Sequence, residues 1–151
     1  MIQRIQTVYL LVVAILMVVM MSLPVGSFVS ADYSIPATEF TNLAIVSADG
    51  VSDYAPWALF VILTVAAIVS LATIFLYRKR MLQIRLTLFN SILLVGYYVT
   101  LVVFVFMLKE DCRFVPSWAV CLPLISIILN WLAIRAIGKD EVLVKAYERL
   151  R

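Results

Sequence analysis

The chain has 151 residues, 65% of them hydrophobic and only 14% charged, with a mean hydropathy of +1.09 and a formal net charge of +3. That composition lies outside the soluble globular range and points to a membrane protein. It contains no histidine, the commonest general base and metal ligand, and its four glycines are too widely spaced for a phosphate-binding loop or a dinucleotide fingerprint.

In chain order, the first apolar run covers residues 5–23 and stops at Pro24 and Gly26, which end a helix where it leaves lipid. Arg4, this run and Val29-Ser30-Ala31 also have the order of a signal peptide, but the run is longer than a typical signal core, so a retained helix is expected. Residues 24–55 form the one substantial loop. Two stretches with strand character, Ser27 to Tyr33 and Phe40 to Val46, flank Ile35-Pro36 and precede the turn dipeptide Asp49-Gly50, so a small hairpin or extended lid is predicted over one end of the molecule.

The second run covers residues 56–77, with Asp53 as a cap candidate, Pro56 in the first turn and Arg78, Lys79 and Arg80 closing it. The third covers 86–108, between Arg85 and the cluster Lys109, Glu110 and Asp111, and a tight connection follows to Val115. The fourth covers 116–137; Pro123 is expected to bend it and Gly138 to cap it, leaving a charged tail at 138–151. Each run reaches the roughly 20 residues needed to cross a bilayer, and backbone groups in hydrocarbon must be satisfied within their own segment. The fold class is therefore an all-α membrane protein, one four-helix transmembrane bundle with a β-hairpin-like outer loop between helices one and two.

Orientation follows from the basic residues. Arg4, Arg78, Lys79, Arg80, Arg85, Arg135, Lys139, Lys145, Arg149 and Arg151 lie on one side, and only Lys109 and Arg113 on the other. The positive-inside bias makes the richer side cytoplasmic, with both termini there, and the other side carries Asp32, Glu39, Asp49, Asp53, Glu110 and Asp111. Trp57 and Trp118 at the outer ends and Tyr77 and Trp131 near the inner face fit interfacial belts.

Polar residues inside the runs form a pattern. About five residues inward from the basic flank stand Tyr9, Thr73, Asn90 and Asn130, at a common depth of roughly 7–8 Å. They are predicted to form an interhelical polar layer, with Asn90 and Asn130 bonding across helices three and four. Tyr97 and Tyr98, with Gly96 and Thr100, make a second polar patch, and Ala66 and Ser70 offer a close-approach face. All nine carboxylates fall outside the hydrocarbon by this topology, where a proton- or cation-coupled transporter normally carries an ionisable residue at mid-membrane.

The two cysteines, Cys112 and Cys121, lack the closely spaced pair that a membrane thiol oxidoreductase needs. A bond between them would require the fourth helix to start late or bend at Pro116. In the tail, Leu143, Ala146, Tyr147 and Leu150 recur at helical spacing. This stretch is either an amphipathic contact for the inner leaflet or a partner, or a solvated extension of the fourth helix. Arg78, Lys79, Arg80, Arg85, Leu143, Tyr147 and Leu150 are the candidate contacts on that side.

The start Met1-Ile-Gln-Arg-Ile-Gln-Thr7, the Arg78-Lys-Arg-Met-Leu-Gln-Ile-Arg85 loop leading to Asn90, and the ending from Trp131 through Lys139-Asp-Glu-Val-Leu-Val-Lys145 resemble a family of small four-helix inner-membrane proteins of Bacteroidota classed as a domain of unknown function. The resemblance covers essentially the whole chain and implies a bacterial inner-membrane location, with no activity attached. Sequence alone thus points to a non-catalytic membrane component, without cofactor or metal and without a nucleic-acid partner. Its expected partners are the lipid bilayer and a membrane protein or its own copies. Binding or transport of an apolar, lipid-like molecule between the helices is the alternative.

Overall fold

The computed structural model describes residues 2–30, 37–108 and 112–151, with side chains from residue 5 onward. The side chain of Arg4, the acidic Asp32, the Ile35-Pro36 break and the cluster Lys109, Glu110 and Asp111 lie outside the described residues.

Four helices carry the architecture: α1 (Ile2–Ser22), α2 (Trp57–Phe75), α3 (Arg80–Leu108) and α4 (Cys121–Arg149). All four are long and apolar enough to cross a membrane. Each helix packs on the next and α1 packs on α4, which closes a four-cornered bundle. On α3 the buried residues are Gln83, Thr87, Asn90, Leu94, Tyr97 and Leu101, a four-three alternation that keeps one seam turned inward. The opposite faces are apolar and exposed, as at Val8, Ile15, Ile68, Ile92, Phe106 and Ile128.

The connections at one end build a sheet that contains the predicted antiparallel pair and extends it on both sides. Strands β1 (Pro24–Ser30), β2 (Thr38–Thr41), β3 (Ile45–Val46), β4 (Ser52–Asp53) and β5 (Cys112–Pro116) form one antiparallel sheet of order β4-β3-β2-β1-β5. The segment expected to be a mere connector after α3 is thus a strand, paired along β1 from Gly26 opposite Pro116 to Ser30 opposite Cys112. Gly26 permits that approach, because a Cβ there would stand 2.6 Å from the Val115 carbonyl oxygen and 2.7 Å from the Phe114 ring. Phe28, Phe40 and Phe114 meet edge-on or tilted, with centroids 5.2–6.1 Å apart, and join Val25 and Ile45 in the core that continues into the helices. Asp49-Gly50 makes the turn between β3 and β4, with Gly50 at φ 77° and its N–H donating to the Ser47 carbonyl at 2.9 Å.

Four other local expectations are corrected. Asp53 does not cap α2: it sits in β4 and accepts from the Ala55 N–H at 3.1 Å, an Asx turn. α3 begins at Arg80 rather than at Leu86, its first turn closed by the Gln83 N–H on the Lys79 carbonyl at 3.0 Å. Pro123 does not bend α4, because a 3-10 turn at Trp118–Val120 delays the helix to Cys121 and leaves the proline in its first turn, where no N–H is needed. Gly138 does not end α4, which runs on to Arg149; the Glu141–Lys145 pair at 2.9 Å is the favourable i,i+4 order, and one interior glycine costs only about 1 kcal/mol.

Candidate functional site: a buried polar column at one end of the bundle

The end of the bundle away from the sheet carries both termini, and from there to mid-bundle the core is lined by polar side chains. Gln6 on α1, Ser70 and Thr73 on α2, Gln83, Thr87 and Asn90 on α3, and Ser126 and Asn130 on α4 are all buried. The hydroxyls largely satisfy themselves. Thr73, Thr87 and Ser126 donate to the carbonyls four residues back, Val69, Gln83 and Leu122, at 2.6, 2.8 and 3.0 Å.

The amides behave differently. Asn90 Nδ2 donates across to Ser70 Oγ at 2.8 Å, which ties α3 to α2. Two α3–α4 contacts set the level of Asn130. Arg80 bonds to Asp140 near one end, Tyr98 donates to the Val120 carbonyl near the other at 2.6 Å, and stepping between these pairs places Asn130 opposite Phe89 and Asn90. The predicted Asn90–Asn130 bond is nevertheless not made. Asn90 Oδ1, both polar atoms of Asn130 and Gln6 Nε2 have no hydrogen-bond partner among the described residues. Each such group left without a partner costs about 1–3 kcal/mol.

Of the four residues predicted as a layer, Thr73, Asn90 and Asn130 point into this core, whereas Tyr9 is only half-buried and α1 contributes Gln6 instead. Ser70, foreseen only as a small residue for close approach, is the partner of Asn90. Gln6, Gln83, Thr87 and Ser126 were not foreseen. The signal available for the α3 members was their spacing, since Gln83, Thr87 and Asn90 continue the seam of Leu94, Tyr97 and Leu101.

A second buried polar contact closes the sheet end. Asn42, in the turn between β2 and β3, donates through Nδ2 to the Met20 carbonyl at 2.7 Å and accepts from the Tyr97 hydroxyl at 2.6 Å. Asn42 and Tyr97 are both wholly buried, so one side chain of the sheet layer latches α1 and α3.

Apart from Arg113 in β5, the described basic side chains gather at the other end. Arg78, Lys79 and Arg85 are exposed at the α2–α3 corner, while Arg80 is half-buried and pairs with Asp140 at 3.4 Å. Arg135 stacks over Trp131, 3.9 Å from the ring centre. Leu143, Tyr147 and Leu150 are exposed on the far part of α4. Cys112 and Cys121 are free thiols, the first half-buried in β5 and the second exposed at the start of α4. No cluster of three histidine, cysteine or acidic side chains stands close enough to hold a metal ion among the described residues.

Chemically, the column offers neutral donors and acceptors and no side chain that gives up or takes a proton near neutral pH. The fold and this column define a small four-helix bundle of membrane-spanning proportions, sealed at one end by a sheet. The chain belongs to the family described as "Domain of unknown function (DUF4293)", whose match spans residues 2–150. No curated protein matches it.

Proposed function

We propose that this protein is a non-catalytic component of a bacterial inner-membrane assembly. It crosses the bilayer four times with both termini in the cytoplasm, and it packs with a partner protein, or with its own copies, through the far part of α4. The observation that carries this reading is the shape of that helix. Its 29 residues extend about 43 Å at the α-helical rise, against a hydrocarbon thickness of roughly 30 Å, so its last turns stand clear of the bilayer. On that projection Leu143, Tyr147 and Leu150 share one face, and Glu141, Val144, Lys145 and Glu148 share the opposite one. An apolar stripe turned away from its own bundle is a surface for another polypeptide.

The apolar outward faces of all four helices support residence in lipid, and the distribution of lysine and arginine supports the orientation. A photo-crosslinker at Tyr147 in intact membranes should give a product of one discrete larger mass, containing either a second protein or a second copy of this chain. Lipid adducts alone would overturn the reading. A second reading, binding of an apolar or lipid-like molecule between helices, is favoured by a wholly apolar groove of about 230 Å³ between α1 and α2, lined by Leu11, Ala14, Val18 and Leu71. A small molecule retained at stoichiometric amounts through purification in mild detergent would favour it.

A further inference from the structure

Between the α2–α3 corner and the projecting part of α4 lies an open cleft of about 630 Å³. Five cations line it, and two of them are already engaged: Arg80 with Asp140 at 3.4 Å and Lys145 with Glu141 at 2.9 Å. The other three, Arg78, Lys79 and Arg85, form no ion pair among the described residues, and Glu148 is the one lining carboxylate outside those pairs. The cleft therefore carries an excess of positive charge that the protein does not neutralise.

Apolar side chains share the same walls. Met81 and Leu82, exposed on the first turn of α3, and Val144 of α4 line the cleft beside the cations. A soluble anion would use the cations and leave these side chains against water. A molecule with a phosphate at one end and hydrocarbon at the other uses both. Depth agrees: Arg85 lies on the membrane-ward side of Arg80 along α3, where a basic side chain meets the phosphate layer.

We propose that this cleft binds the headgroup of an anionic phospholipid, its phosphodiester held by Arg78, Lys79 and Arg85 and its glycerol and upper chains resting on Met81 and Leu82. The inference rests on the bilayer reading above but not on the partner surface, because Glu141, Val144, Lys145 and Glu148 face the cleft and Leu143, Tyr147 and Leu150 face away from it. Bound lipid would also draw the α2–α3 corner and α4 together at the end of the bundle that the sheet does not hold.

The test is native mass spectrometry of the full-length protein in detergent, titrated separately with phosphatidylglycerol, phosphatidylcholine and inorganic phosphate. Phosphatidylglycerol should bind at one site, more tightly than phosphatidylcholine and far more tightly than inorganic phosphate. The triple variant Arg78→Gln, Lys79→Gln, Arg85→Gln should lose affinity on the order of a hundredfold, from three headgroup-layer charges. The control variant Arg149→Gln, Arg151→Gln should bind as the parent does. Equal affinity for the two lipids, equal affinity for inorganic phosphate, or undiminished binding by the triple variant would overturn the proposal. The lipid comparison on the parent protein needs no variant, so a failure of the triple variant to fold leaves that arm decisive.

Discussion

The latch at the sheet end gives the sharpest stability prediction. Tyr97→Phe removes one hydroxyl and leaves Asn42 Oδ1 without its 2.6 Å donor in a place with no exposure, which should cost about 1–3 kcal/mol. Asn42→Ala leaves the Tyr97 hydroxyl unpaired, and the Met20 carbonyl then keeps only the long 3.4 Å bond from the Leu23 N–H, so its cost should match or exceed that of the tyrosine change. Once either partner is gone, removing the other orphans nothing further across that bond. The double variant should therefore fall short of the summed single costs by roughly 1 kcal/mol. Unfolding in detergent, followed by the fluorescence of Trp57 and Trp118, reads the cycle near the sheet end. Additivity within about 0.5 kcal/mol, or a neutral Tyr97→Phe, would refute the latch.

Three further outcomes follow from the same structure. Gly26→Ala should lower stability by roughly 1–3 kcal/mol, because the new methyl meets the Val115 backbone oxygen, which cannot turn aside as a side chain can; an unchanged melting temperature would mean β1 and β5 do not approach as described. In the polar column, a cycle between Ser70→Ala and Asn90→Leu should show coupling of about 0.6 kcal/mol or more, measured by unfolding in detergent, while Asn90→Leu and Asn130→Leu should come closer to additive because no direct bond joins them. Fusions of a periplasm-active reporter should be active after Asn42 and inactive after Arg80 and Arg151, and the reverse pattern would invert the proposed orientation.

The helices were legible because their signal is local: apolar runs bounded by proline and by charge settle that four helices exist, while α3 and α4 run on into charged sequence that hydropathy does not count. The sheet was only half legible for the opposite reason. Cys112–Pro116 is too short to announce itself, and its partner strand β1 lies more than a helix pair away in sequence, so nothing within reach of periodicity reveals the pairing. In the polar column, Asn90 and Asn130 stand out because an amide inside a long apolar run needs a reason. Ser126 and Thr87 do not, since a hydroxyl that donates to the carbonyl four residues back is at home in any such helix. Gln6 and Gln83 were missed because depth counted from the charged flank puts them where polar side chains belong anyway, and only packing turns them inward.

The two ends of the bundle are held by different means, and the difference bears on what the molecule can do. At one end the α1–α2 and α3–α4 connections are hydrogen-bonded to each other through β1 and β5, over five opposed residue pairs, and Asn42 is bonded into the helices beneath. Opening that end would break a strand pairing and expose Phe28 and Phe40, a cost that no rocking between adjacent helices recovers. At the other end the core is held by hydroxyls bonded within their own helices, one amide bridge from Asn90 to Ser70, and amide atoms that the protein itself leaves unpaired. Separation of the helices is therefore opposed by backbone pairing at the sheet end, and by side-chain bonds such as Asn90 to Ser70 and Arg80 to Asp140 at the end where most of the arginines and lysines lie.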